Sequence, residues 1–213
     1  MPLIDIGQPV PSFEMTDHTG APVAREALAG SRFVLFFYPK DDSKDCTTQA
    51  CEFSNAAKAF AGAGVKVFGV SPDSVKDHQK FVAKHGLGFP ILVDQRDASG
   101  TPGMCHAFGV WQEKSMYGRK YMGVVRTTYL VDAGAKVERR WDKVKVTGHV
   151  GEVLQVVLGQ HVAKPAAKKA AKAARATAIK DDSSESPKAK KAPPKPAKKP
   201  AKTAKAKPAS KRA

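Results

Sequence analysis

The chain has 213 residues, of which 36 are Lys or Arg and 20 are Asp or Glu, and its net charge of +16 is unevenly distributed. Residues 164–213 hold 17 basic and 3 acidic side chains, whereas residues 1–163 carry a net charge of only +2. Three cysteines exclude a disulfide-rich scaffold, and no apolar run is long enough to span a membrane. The beginning of the chain lacks the pattern of a signal peptide, so we expect a reducing, cytoplasmic location.

Strand-like and helix-like patterns alternate between residues 13 and 158. The runs that predict strands are 13–16, 34–38, 65–71, 90–94 and 127–132, with 136–141 expected to lie antiparallel to the last of these. The segments that predict helices are 46–61, 74–86, 101–108 and 150–158. This alternation is typical of an α/β layered structure with a mainly parallel sheet.

Cys46 stands where the apolar run 34–38 is followed by the start of a helix. Unpaired N–H groups at a helix N-terminus stabilise an anion, and the thiolate is the reactive form of cysteine. The position therefore indicates thiol redox chemistry. The alternative is a small, buried residue that serves only packing.

Cys51 follows five residues later in the same helical pattern. In an intact helix, the Cα atoms of residues five apart are about 8–9 Å from each other, and a disulfide tolerates at most about 7 Å. Cys46 and Cys51 can therefore join only if the first turns of the helix unwind. Cys51 as a core-facing residue remains an alternative, and Cys105 is a core residue, a spare thiol or an alternative partner for Cys46.

A zinc site made by Cys46, Cys51 and His106 is a further alternative for the cysteines. Structural zinc ligands usually come in more closely spaced pairs. The other five histidines are scattered along the chain. We therefore predict no metal site.

The pattern Pro39-x-x-x-Ser43-x-x-Cys46 resembles the active-site pattern of peroxiredoxins. Residues 37–51, 69–74, 108–111 and 126–132 are similar to the bacterioferritin-comigratory, or Q-type, branch of that family, and the similarity covers roughly residues 3–160. The resemblance implies a thioredoxin-like α/β fold with a central mixed sheet flanked by helices. It also implies a thiol-dependent peroxidase that requires no cofactor.

The resemblance implies a role for each residue of the motif. Cys46 would be the peroxidatic cysteine, whose thiolate attacks the O–O bond of hydrogen peroxide or an organic hydroperoxide and becomes a sulfenic acid. Ser43 and Arg126 would orient and polarise the peroxide while charge develops on the departing oxygen. Pro39 shapes the exit from the strand. Gln49 falls where the branch often has Glu or Gln, so it would help hold the loop and is a candidate for the substrate-binding set with Ser43 and Arg126.

Cys51 matches the resolving cysteine that many members of the branch contain. It would condense with the sulfenic acid to form an intramolecular disulfide, which thioredoxin or a similar dithiol partner reduces. The resemblance also favours a monomer.

Lys44 and Asp45 depart from the Pro-Gly pair that commonly precedes the peroxidatic cysteine of the family. Asp45 brings a negative charge beside the thiolate and should oppose its formation, which Lys44 would offset. We therefore predict that Asp45→Asn increases the thiolate fraction of Cys46 at low pH.

Residues 164–213 form a second region, almost wholly Lys, Ala and Pro with an acidic, Ser-rich patch at 181–186. The region has no apolar periodicity to offset the entropy cost of folding, so we expect it to be disordered. Its composition is similar to that of linker-histone tails and indicates nonspecific binding to DNA phosphates, near the nucleoid. The alternative is a solubilising tail without a partner.

Two other functions remain open at the level of sequence. The chain would be a DNA-associated architectural protein if its thioredoxin-like domain were redox-inactive. It would be a peroxide sensor if the oxidised cysteine passed its oxidation to a bound partner.

Overall fold

The computed structural model describes residues 1–116 and 118–159. The predicted disordered region, 164–213, and the predicted domain boundary after residue 163 therefore lie outside the described residues. No helix within the described ranges is long and apolar enough to cross a bilayer.

Strands and helices alternate along the described chain, and every predicted element is present with small shifts at its ends. The strands are Glu14–Thr16 (β1), Pro22–Ala24 (β2), Arg32–Phe37 (β3), Val65–Ser71 (β4), Ile91–Val93 (β5), Trp111–Met116 (β6), Arg119–Val124 (β7), Thr127–Val131 (β8) and Val137–Trp141 (β9). The helices are Lys44–Gly62 (α1), Val75–His85 (α2), Gly103–Ala107 (α3) and His149–Val157 (α4).

The central sheet has five strands in the order β5-β4-β3-β8-β9. Strands β3, β4 and β5 are parallel, whereas β8 is antiparallel to β3 and β9 is antiparallel to β8. The sheet is therefore mixed, as the family resemblance implies. The parallel arrangement predicted from alternation is confirmed for β3, β4 and β5, and β8 departs from it because it runs antiparallel to β3. A helix connects each pair of successive parallel strands, α1 between β3 and β4 and α2 between β4 and β5. The connection from β5 to β8 instead contains α3 and the β6–β7 hairpin, and β8 enters the sheet antiparallel to β3.

Strand β3 lies at the centre of the sheet, between β4 and β8. Its alternate side chains enter two separate core layers, with Phe33, Leu35 and Phe37 in one and Val34 and Phe36 in the other. Burial on both faces explains why this strand reads as an apolar run. Its carboxyl end delivers the chain to the start of α1.

Helix α1 packs its apolar face against the second of these core layers, which also contains residues of α4. The buried positions of α1 follow helical spacing and are Cys46, Gln49, Ala50, Phe53 and Phe60. Gln49 is the one amide among them, so its polar atoms need partners inside the protein.

Candidate active site

Cys46 is the third residue of α1 and is 1% exposed. Ser43 is the N-cap residue, but its side chain makes no capping hydrogen bond to the helix. Its hydroxyl instead donates to the carbonyl of Lys40 at 3.1 Å. The first N–H groups of α1 therefore remain available to the Cys46 sulfur or to an incoming oxygen.

Arg126 connects two residues of α1. Its Nη2 donates to Sγ of Cys46 at 3.3 Å, and its Nη1 donates to Oε1 of Gln49 at 2.6 Å. Arg126 lies between β7 and β8, and its carbonyl accepts a hydrogen bond from the N–H of Val144. A guanidinium stays protonated in proteins, so it places a permanent positive charge beside the sulfur.

Gln49 is wholly buried and faces Arg126. Its Oε1 accepts the hydrogen bond from Arg126, and its Nε2 has no hydrogen-bond partner within the described part of the chain. Pro39 is half-buried in the loop between β3 and α1. The structure thus brings Cys46, Gln49 and Arg126 into contact and places Pro39 and Ser43 in the loop before them.

Lys114 is a further charged residue near this cluster, and no sequence pattern points to it. It lies half-buried on β6, and its Nζ donates to the carbonyl of Val124 at 2.8 Å. Burial lowers the pKa of Lys114, the charge of Arg126 lowers it further, and a negative charge on Cys46 opposes both effects. A lysine in a polar strand offers no sequence signal that would separate it from a solvated one.

Cys51 is half-buried on α1, and its thiol is free, like those of Cys46 and Cys105. It packs against the same core layer as Cys46. Because α1 is continuous from Lys44 to Gly62, the two sulfurs are held in the arrangement that requires unwinding before they can join.

Cys105 is wholly buried in the core layer on the other face of the sheet. Burial raises the pKa of its thiol well above the ordinary value, and the nearby charge of Asp94 adds to the shift. A protonated, inaccessible thiol is a poor nucleophile. Within the described residues, no group of three or more His, Cys, Asp and Glu side chains is arranged to hold a metal ion.

The chain is similar in sequence to proteins of one known family. Residues 6–140 match the model of the AhpC/TSA family. Peroxiredoxin Bcp of Bacillus subtilis is 41% identical over 154 residues, which cover 72% of this chain and 95% of that protein. Peroxiredoxin Bcp of Escherichia coli is 35% identical over 148 residues, which cover 70% of this chain and 92% of that protein.

Solved structures give a similar result. A structure of the bacterioferritin comigratory protein of Xanthomonas campestris, from a study of its alkyl peroxide reduction activity, aligns with a TM-score of 0.64 at 38% identity. The alignment covers 69% of this chain and 90% of that chain. A Xylella fastidiosa PrxQ mutant structure aligns with a TM-score of 0.68 at 32% identity, covering 75% and 98% of the two chains.

Proposed function

The chain belongs to the AhpC/TSA family and is a Bcp-type peroxiredoxin with the thioredoxin-like fold, and we propose that Cys46 is the cysteine that reduces hydroperoxides. The observation that supports this assignment is the 3.3 Å hydrogen bond from Arg126 to Sγ of Cys46 at the start of α1. A positive charge and unpaired N–H groups at the same sulfur favour the thiolate. In the described part of the chain, neither Cys51 nor Cys105 combines a contacting guanidinium with unpaired helix N–H groups.

In the first step, the Cys46 thiolate attacks the terminal oxygen of the hydroperoxide. The O–O bond breaks, Cys46 becomes a sulfenic acid, and the departing oxygen takes a proton and leaves as water or an alcohol. Arg126 and the N–H groups of α1 stabilise the negative charge that develops on that oxygen. Because the Ser43 hydroxyl donates its hydrogen bond to the backbone carbonyl of Lys40, the lone pairs of its oxygen are free to accept a hydrogen bond from the O–H of the hydroperoxide.

In the second step, the thiol of Cys51 condenses with the sulfenic acid, which forms a disulfide and releases water. Cys51 is partly accessible and lies on the same helix, whereas Cys105 is wholly buried behind the sheet. A dithiol reductant, thioredoxin or a protein like it, then restores both thiols by exchange. Since one chain supplies both cysteines, the cycle works in a monomer.

Three single substitutions test these assignments. Cys46→Ser should abolish peroxide consumption, Cys51→Ser should react once without forming a disulfide, and Cys105→Ser should leave both steps intact. Peptide mapping by mass spectrometry after one equivalent of hydrogen peroxide reports which sulfur is oxidised and which disulfide forms. Peroxide consumption by Cys46→Ser at the rate of the unaltered chain would overturn the proposal.

We also propose that residues 164–213 bind DNA without sequence preference. The support is the sequence itself, because 17 of those residues are basic and 3 are acidic. Dense positive charge binds phosphates by releasing counterions, so only binding near physiological salt is informative. The location that we propose is a reducing cytoplasm, in which DNA binding keeps the enzyme close to the nucleoid.

The DNA proposal is tested by comparing the full chain with a chain that ends after residue 163. DNA affinity should fall on truncation, and the difference should persist at an ionic strength of about 0.15 M. Equal DNA affinity of the two chains at that salt would contradict it. Peroxide consumption measured on both chains distinguishes loss of DNA binding from loss of the fold.

A further inference from the structure

Residues 39–43, which belong to the loop between β3 and α1, contain a buried carboxylate that the peroxidase steps above do not use. Asp41 lies in the middle of this loop and is only 7% exposed. Carboxylates in loops are usually solvated, and burying one without partners is costly. The partners of Asp41 therefore indicate what holds the loop in place.

Asp41 is held by hydrogen bonds from both sides. Its Oδ1 accepts from the hydroxyl of Tyr38 at 2.7 Å, and its Oδ2 accepts from Nδ1 of His78 at 2.6 Å. Its backbone N–H donates to Oδ2 of Asp73 at 2.7 Å, and that oxygen also accepts from the Ser71 hydroxyl. The loop is thereby tied to the end of β3, to the segment after β4 and to α2.

The surroundings of Tyr38 and His78 show that both side chains donate hydrogen bonds to Asp41. Burial raises the pKa of Tyr38 well above its ordinary value, and the charge of Asp41 raises it further, so the phenol keeps its proton. His78 is wholly buried on α2, and its Nδ1 faces a carboxylate, which can only accept. Hydrogen bonds to an ionised carboxylate are stronger than those between neutral groups.

A second, exposed set of contacts joins the same loop to the end of α2. Asp42 has a φ of 56°, and its carboxylate accepts from Nζ of Lys84 at 2.6 Å and from Nε2 of His85 at 2.8 Å. Exposed ion pairs contribute little. The buried hydrogen bond between Asp41 and His78 is therefore the stronger connection between the loop and α2.

We propose that the Asp41–His78 hydrogen bond positions the start of α1 and so sets how readily the Cys46 segment unwinds towards Cys51. The inference rests on the proposed roles of these two cysteines. The loop runs directly into the first turn of α1, and that turn must open before the sulfurs can join. His78 and Asp41 are thus positioning residues, since they act on the reaction through the loop.

The hydrogen bond then influences which of two reactions consumes the sulfenic acid on Cys46. In one, the Cys51 thiol displaces the hydroxyl, giving the disulfide and water. In the other, a second hydroperoxide oxidises the sulfenic acid to a sulfinic acid and is itself reduced to water or an alcohol. A tightly held loop slows the first reaction and so leaves more sulfenic acid for the second.

The test uses the full chain and three variants. His78→Leu removes the donor to Asp41, and His78→Asn supplies an amide N–H in place of Nδ1. Lys84→Met removes one of the two contacts of Asp42, leaves the one with His85, and serves as the matched control. Amide exchange of residues 43–50 in the reduced protein is compared with that of α4, and mass spectrometry follows disulfide and sulfinic acid after addition of hydrogen peroxide.

His78→Leu should raise amide exchange over residues 43–50 by about tenfold, the effect of losing one hydrogen bond to a charged group, while exchange in α4 stays unchanged. Disulfide formation should become faster, and the sulfinic fraction in excess peroxide should fall. His78→Asn and Lys84→Met should both stay within about twofold of the unaltered chain.

Unchanged exchange and unchanged disulfide formation in His78→Leu would overturn the inference. If the unaltered chain fails to consume peroxide through Cys46, the proposed function fails instead. Should His78→Leu not fold, Tyr38→Phe deletes only the hydroxyl that donates to Asp41. That variant should shift exchange and disulfide formation in the same direction, and a lack of any shift would equally overturn the inference.

Discussion

Nη2 of Arg126 donates a hydrogen bond to Sγ of Cys46 at 3.3 Å, although 80 positions separate the two residues in the chain. The central sheet makes this contact possible because β3 leads into α1 while its neighbour β8 begins directly after Arg126. The antiparallel pairing of β3 with β8 places the end of one strand beside the start of the other. The mixed sheet is therefore the feature that assembles the site.

The first prediction concerns Arg126 itself. Arg126→Met should lower the second-order rate constant for hydroperoxide reduction by about 10²–10³-fold, the usual effect of removing a donor from developing negative charge. Arg126→Lys should recover only part of that rate, because a lysine does not reproduce the two-pronged geometry that contacts both Cys46 and Gln49. Stopped-flow measurement of the first turnover gives both values, and a methionine variant as fast as the unaltered chain would exclude this role.

Gln49 gives a second prediction, because its Oε1 is the acceptor that orients Arg126. Gln49→Met removes that acceptor from a wholly buried position, whereas Gln49→Glu keeps it. The methionine variant should lose about tenfold in the same rate constant, as expected for one hydrogen bond to a charged group. The glutamate variant should remain the faster of the two, and the reverse order would contradict an orienting role.

Local sequence pattern accounts well for Cys46 and Cys51 and poorly for the groups that surround them. The strand before Cys46 and the helical spacing after it are local features, so the helix start and the need for unwinding could be predicted. Only the family resemblance points to Arg126. No local pattern points to Lys114 or His78, since each reaches the site through tertiary contacts of an otherwise ordinary strand or helix.

The β6–β7 hairpin illustrates the same limit at the level of the fold. Both strands carry many exposed polar residues and lack an apolar run, so periodicity predicts neither of them. The hairpin register is defined by pairing between the strands, for example of Trp111 with Val124. Such pairing is information that a single segment does not contain.

Lys114 on this hairpin supports a third prediction. Burial lowers the pKa of Lys114, so its ammonium loses its proton at a lower pH than an ordinary lysine does. As pH rises through that value, the site loses one positive charge that favours a thiolate on Cys46, and the peroxide rate constant should decline. Lys114→Met should start from a lower rate and lack this alkaline decline.

The matched control for Lys114 is Lys120 on the same hairpin, which is exposed and pairs with Glu113 at 3.0 Å. Lys120→Met should keep both the rate and its pH profile, because an exposed ion pair contributes little. Identical alkaline profiles for the unaltered chain and Lys114→Met would show that this ammonium does not act on Cys46.

Asp45 leads to a fourth prediction with two opposing effects. It is exposed in the first turn of α1, where a carboxylate favours the helix but disfavours a neighbouring thiolate. Asp45→Asn should therefore raise the peroxide reactivity of Cys46 at low pH, while lowering the free energy of unfolding by about 0.3–1 kcal/mol. Reactivity and chemical denaturation are measured on the same preparation, and an unaltered low-pH reactivity would exclude the effect on Cys46.

His149 supports a fifth prediction, on stability. It is buried at the start of α4, where its Nε2 forms a 2.8 Å hydrogen bond with Oγ1 of Thr128. Burial is the main cause that lowers the pKa of His149 to about 4, against an ordinary value of 6.5, and Arg126 contributes in the same direction. The folded protein therefore holds a neutral imidazole over a pH range in which the unfolded chain takes up a proton.

Because the unfolded chain binds this proton more readily than the folded protein, the free energy of unfolding decreases as pH falls. The contribution of His149 is fully present above pH 6.5 and is lost as pH falls towards about 4, which amounts to about 3 kcal/mol at most. His149→Gln keeps a polar group near Thr128 without a titrating proton, so its free energy of unfolding should decline less over this range. Urea denaturation of both chains at several pH values between about 7 and 4.5 measures the difference. Parallel pH profiles for the two chains would show that protonation of His149 does not limit acid stability.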